Sequence, residues 1–192
     1  ALVTLHAVTA DPRWLEVAGS LLADAVTRFS DGHDDAGLVV HDTASDAEQL
    51  VLRPRARGDN AEPCGQSALA GALLAHGAAA GSGEHLALGR RALIPMGVIA
   101  ARDPRFAGWA LATAEAALAG PLQVAISAGD GEQELLDLAR RWAPSGSLVV
   151  SGRPGQVPLL EDRPAVDGRA AAYVCRGTTC DLPVTTPEEL RQ

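Results

Sequence analysis

The stretch Asp59–Ser67 (DNAEPCGQS) concentrates groups that could do chemistry. Asp59 and Glu62 bring carboxylates, Asn60 the sequence's only asparagine amide, and Ser67 a hydroxyl. The small-residue helix expected to follow offers free backbone N–H groups at its start. Paired donors and acceptors of this kind suit a sugar or polyol, whose hydroxyls need both. Glu62 is the candidate for general acid–base work, which requires a carboxyl or imidazole within reach of the moving proton. Asp, Asn and Ser are equally the common caps of helices, so a structural role stands beside the functional one.

Other constellations carry less. Arg53, Arg55 and Arg57 alternate along an expected strand and so share a face. They suit a carboxylate or phosphate, or simply a solvated edge that discourages further pairing. His33, Asp34, Asp35, His41 and Asp42 have metal-binding chemistry, but their spacing matches no zinc or calcium motif, and no metal is expected. His6, His76 and His85 are isolated in the sequence. Cys175 and Cys180 form a single C-x4-C, too sparse for structural zinc. They read as a hairpin disulfide, as two reduced thiols, or as a redox pair beside Arg176. Gly129-Asp130-Gly131 follows an expected strand and opens a helix, but the turn is acidic and Glu134 stands at the third glycine position. A pyrophosphate would be repelled there, which excludes a dinucleotide site.

The elements that must hold these groups follow from periodicity. Asp11-Pro12 starts a helix, and Trp14, Ala18, Leu21, Ala25 and Phe29 carry it over 12–29. A shorter helix ends near Val8. Ser30–Gly37 reads as a polar loop, with Gly37–His41 and Leu50–Arg53 as strands of a β-hairpin near 37–53. Helices are expected from Gln66 to about Gly77, over Glu84–Ala92, and after Pro104 with Phe106, Trp109, Ala110, Ala114 and Ala117 on one stripe. Beyond Gly120-Pro121 a buried strand (Leu122–Ser127), a helix (Glu132–Trp142) and a strand (Ser147–Ser151) suggest a parallel pairing. Residues 153–168 form a Pro-rich loop, Ala170–Cys175 a further strand, and Thr186-Pro187-Glu188-Glu189 a last helix cap. The fold class is mainly α with a smaller α/β part, divided into 1–120 helical hairpins and a 121–192 α/β segment.

At 192 residues the chain has room for a core without staples, and a net charge of −8 argues against a nucleic-acid surface. No window approaches the ~18 apolar residues of a membrane span. Three cysteines without a visible leader fit a reducing, cytoplasmic setting. The sequence starts at Ala1, its only methionine is Met96, and ALVTLHAV already reads as helix, so a piece of a longer protein is expected.

DNAEPCGQS at 59–67, PLQVAIS at 121–127 and above all VDGRAAAYVCRGTTCDLPVTTPEEL at 166–190 together resemble the C-terminal end of the YyaL-type, or spermatogenesis-associated, thioredoxin-domain protein family. Asp31, Asp42 and Thr43 also sit where that family has its acidic loop and strand. The resemblance covers essentially the whole chain. It implies the C-terminal part of a six-hairpin (α/α) toroid followed by a β-α-β segment. The missing toroid helices and an N-terminal thioredoxin-like domain would be partners within the same protein. In a toroid, loops opening inner helices line the central cavity, which makes Asp59, Asn60, Glu62 and Ser67 candidate binders of a sugar-like ligand. An epimerase- or glycosidase-like pocket, incomplete in this piece, is the first functional expectation. A non-catalytic scaffold, or a redox partner of the thioredoxin-like domain through Cys175 and Cys180, are the others. No cofactor, nucleic acid or membrane is implied. Cys64 and Gln66 depart from the family pattern, which tends to Ser and Asn there, so the resemblance implies no chemistry that needs that hydroxyl or amide.

Overall fold

The computed structural model describes residues 1–144, 146–177 and 179–191; Thr178 of the C-terminal motif lies outside them. Helix α1 (Leu2–Thr9) is followed by α2 (Pro12–Phe29), whose start is capped as the sequence predicts: Asp11 Oδ1 accepts from the Arg13 N–H at 3.0 Å. Strands β1 (Ser30–Asp34) and β2 (Gly37–Val40) precede four helices, α3 (Gly65–Ala80), α4 (Gly83–Leu93), α5 (Gly97–Arg102) and α6 (Gly108–Ala119). Short 3₁₀ turns at Ile94–Met96 and Pro104–Phe106 break this run where Pro95 and Pro104 forbid continuous helix. Then come β3 (Leu122–Ser127), α7 (Glu132–Trp142), β4 (Leu148–Gly152), β5 (Ala171–Arg176), β6 (Thr179–Cys180) and α8 (Pro187–Leu190). A capping box at Thr186 and Glu189 opens α8. The chain is mixed α/β and about half helical. Among the described residues no helix is long and apolar enough to cross a membrane.

Two compact units divide the chain. One comprises Ala1–Ala18, Ala78–Ser82 and Ala119–Gln192, the other Gly19–Gly77 and Gly83–Leu118. The first unit therefore gathers the C-terminal α/β segment together with two pieces of the 1–120 stretch expected to form helical hairpins with a β-hairpin near 37–53.

In the first unit the sheet runs β4-β3-β5-β6. β3 and β4 pair in parallel across α7, as the strand–helix–strand spacing requires, and β5 pairs antiparallel with β3. Every residue of β3 is buried. Its side chains alternate between two cores: Ala125 joins Val150, Leu159 and Leu160, while Val124 and Ile126 join Leu135, Leu138 and Ala139 of α7. Burial on both faces explains why LQVAIS shows no polar alternation. Gly129 sits where the turn after β3 meets the backbone of 168–170. A Cβ there would lie 2.5 Å from Ala170 N and 2.6 Å from Arg169 C. Backbone atoms yield little, so Gly129→Ala is expected to lower stability by about 2 kcal/mol, read as a lower urea midpoint at unchanged slope. Of the two glycines of this turn, Gly129 serves close packing, whereas Gly131 has open space around it and a φ of +85°.

In the second unit the β-hairpin differs from the expected one. β2 pairs with β1 rather than with Leu50–Arg53, and residues 41–64 contain neither helix nor strand. Ser30–Asp34 reads as a loop because it holds four polar residues around Gly32 and no apolar one, and all but Ser30 are exposed. Backbone pairing alone, with a register irregularity between Ser30 and His33, makes it a strand. Val51 and Leu52 are fully or largely exposed, so the centre of the apolar stretch that suggested a strand stays in solvent. Gly37 allows the hairpin to close: its φ is +113°, and a Cβ there would lie 2.6 Å from the Arg91 carbonyl. Leu38 and Val40 pack with Leu22, Leu69, Leu73 and Leu88, and a smaller core joins Cys64, Met96, Ala107 and Ala110.

Candidate functional site

The segment 59–67 organises the second unit through its polar side chains. Asp59 is 2% exposed. Its backbone N–H donates to the Phe106 carbonyl at 2.7 Å, which docks the loop on the 3₁₀ turn. One carboxylate oxygen accepts from the Cys64 N–H at 3.1 Å. The other accepts from the Trp109 and Ala110 N–H groups at 3.0 and 3.1 Å. Those two groups are free donors of the first turn of α6, and the residue at the capping position, Ala107, has no side-chain acceptor. Asp59 therefore caps a helix whose donors lie 50 and 51 residues further along the chain, with its charge at the favourable end of the helix dipole. Burial pushes its carboxyl up, but hydrogen bonds from Ser67 and from the Ala110 and Cys64 amides outweigh it and hold the group below the usual carboxylate range.

Gln66 is a second polar tie. Its side-chain oxygen accepts from the Val40 N–H at 2.9 Å, and its amide donates to the carbonyls of Leu38 at 2.6 Å and Ala92 at 2.7 Å. One side chain joins β2 to the end of α4. Ser67 is buried, its hydroxyl 3.4 Å from Cys64 Sγ. Asn60 and Glu62 are exposed. Of the four candidates, Asp59 and Asn60 reach an open cleft. Glu62 lines neither of the clefts beside Asn60, and Ser67 points into packed protein.

Two clefts flank Asn60. One, of about 370 Å³, is lined by Arg57, Asp59, Asn60, Ile99, Arg102, Asp103 and Phe106. The other, of about 360 Å³, is lined by Asp59, Asn60, Arg105, Gly108, Trp109 and Ala112. Trp109 is 54% exposed and Phe106 36%. The Arg105 guanidinium lies over the Phe106 ring, 4.5 Å from its centroid, and pairs with Asp103 at 3.4 Å. Arg102, Arg105, Phe106 and Trp109 were not singled out as binding residues from sequence. The available signal was a large aromatic in the first turn of an otherwise Ala-rich helix. Arg55 and Arg57 line a third cleft with Val39, Met96 and Val98.

The arginine row does not form, because residues 53–57 are not a strand. Arg53 turns instead to Asp31 Oδ1 at 2.5 Å and to the Thr43 carbonyl at 2.8 Å. His41 Nε2 lies 2.7 Å from Asp31 Oδ2. This hydrogen bond, with the charges of His41 and Arg53, holds the Asp31 carboxyl below its usual range. His33, Asp34 and Asp35 are exposed, and no grouping of three metal-ligating side chains occurs among the described residues. Cys175 and Cys180 stand opposite each other on β5 and β6 and are joined by a disulfide, while Cys64 is free and buried.

Comparison with models of known protein families and with curated proteins finds no match to this chain.

Proposed function

We propose that this chain binds a sugar or polyol in the paired clefts beside Asn60. The observation that carries the reading is the lining itself: a solvent-facing amide shared by both clefts, guanidinium groups around it, the exposed Trp109 ring, and the Phe106 ring with Arg105 over it. Hydroxyls need the donors and acceptors, and the apolar C–H face of a sugar ring packs on an aromatic face. The clefts also have the volume of ordinary small-molecule sites.

Binding is favoured over turnover by the state of the carboxylates. Asp59 has both oxygens engaged by backbone N–H groups. The other acid lining the larger cleft, Asp103, is half-exposed and pairs with Arg105. Acid–base work on a glycosidic or epimerisable carbon calls for a second such group. On this proposal that group, like the rest of a six-hairpin (α/α) toroid and a thioredoxin-like domain, belongs to other parts of a longer protein. The succession of α3 to α6 and the family-like motifs support that placement.

Amide NMR titration with aldohexoses, N-acetylated hexosamines and hexitols tests the reading. Saturable shifts are expected at Gly58–Asn60 and at the Trp109 indole. Asn60→Ala and Trp109→Ala should each weaken binding about ten-fold, equivalent to about 1.4 kcal/mol. Absence of saturable shifts with every member of the panel, or shifts confined to residues outside both clefts, would overturn it.

A further inference from the structure

We propose that the Cys175–Cys180 disulfide is a thiol–disulfide exchange site, with Cys180 as the attacked sulfur and Arg163 as the group that stabilises the departing Cys175 thiolate. The asymmetry of the pair carries the assignment of roles. Cys175 is 1% exposed, whereas Cys180 is exposed on the edge strand β6. An incoming thiolate therefore reaches only Cys180 Sγ. Cys175, buried on β5 between β3 and β6, becomes the leaving group.

Arg163 is placed for that step. Its Nη2 lies 3.2 Å from Cys180 Sγ and 3.6 Å from Cys175 Sγ. Nη1 donates to the Leu159 carbonyl at 2.7 Å, which fixes the guanidinium from its other side. The backbone is held as well: the Ser127 hydroxyl donates to the Arg163 carbonyl, and the Tyr173 hydroxyl to the Pro164 carbonyl at 2.8 Å. Among the described residues no carboxylate lies within ion-pair distance of Arg163. A cation beside a sulfur lowers the thiol pKa, and a thiol of lower pKa leaves faster. A disulfide serving only as a staple needs neither the fixed guanidinium nor the exposed sulfur.

The reaction partner is a dithiol. One of its thiols, as thiolate, attacks Cys180 Sγ; a new S–S bond forms, the Cys175–Cys180 bond breaks, and Cys175 leaves as a thiolate beside Arg163. The second thiol loses its proton to solvent and attacks its own chain's sulfur in the mixed disulfide, expelling Cys180 as thiolate. The dithiol ends as a disulfide. The protein has gained two electrons, and its two thiolates take up two protons. The reverse sequence reduces a partner disulfide.

Two measurements test this. Reduction of the intact chain by dithiothreitol is followed by alkylation and mass. Arg163→Gln should slow it about ten-fold, and Arg163→Lys should restore most of the rate. In Cys175→Ser, incubation with oxidised glutathione should give a mixed disulfide that peptide mapping places on Cys180. An unchanged rate in Arg163→Gln, failure of Lys to rescue, no adduct, or an adduct on Cys64 alone would overturn the proposal. Should Cys175→Ser lose its circular dichroism signature, the Arg163 series decides, since those chains keep the bond.

Discussion

Asp59→Ala is expected to destabilise the protein by about 4 kcal/mol, a large part of the stability of an ordinary domain. The substitution removes a buried carboxylate and strands the N–H groups of Cys64, Trp109 and Ala110. Hydrogen bonds to a charged acceptor contribute about 1.5–3 kcal/mol each. The total stays below their sum because the adjoining clefts let water reach part of the vacated space. Asp59→Asn keeps one carbonyl oxygen but turns an NH₂ toward backbone donors, and should cost about half as much. Urea unfolding followed by circular dichroism measures both.

The acid limb of stability follows from the same residue. The folded-state pKa of Asp59 is depressed. Its contribution is therefore complete above the unfolded carboxyl value of about 3.9 and is lost as pH falls through the folded value. Wild-type stability should drop below about pH 4, and Asp59→Asn should remove part of that slope. An acid limb identical in the two proteins would show that the carboxylate is not held as described.

Gln66→Leu is the second large expectation, about 3 kcal/mol. The replacement fits the space but leaves the Val40 N–H and the Leu38 and Ala92 carbonyls without their partner inside a packed region. Gln66→Glu discriminates this from a volume effect. A carboxylate still accepts from Val40, but its other oxygen faces two carbonyls, so the loss at neutral pH should match or exceed that of Leu and shrink in acid as the group is protonated. A Glu variant as stable as wild type at pH 7 would refute the assignment of the Gln66 amide.

These two residues show what was legible in DNAEPCGQS and what was not. The segment's weight was visible from its composition, and both capping and ligand binding were open readings. Local spacing pointed to the helix next door, α3. The helix that Asp59 caps is α6, whose own capping position is Ala107. A helix start without an acceptor signals a remote cap, but nothing local says which acid supplies it. Glu62 is the acid–base candidate in sequence, yet it is exposed and outside the clefts beside Asn60. The hairpin shows a similar limit. Ser30–Asp34 carries no apolar alternation, so its strand character came from the partner backbone, while the apolar Val51-Leu52 stretch stays in solvent.

Elements whose reasons lie within a few residues were determined by the sequence alone. Asp11-Pro12 starts α2, Thr186 and Glu189 open α8, and the β3–α7–β4 run pairs in parallel because its apolar lengths and short crossover allow little else. Tertiary structure alone decided which distant groups meet: Asp59 with α6, Gln66 with β2 and α4, Arg163 with the two sulfurs. The physical reason is that periodicity and capping act over one turn or one strand, whereas a buried donor accepts any partner that the packing brings to it.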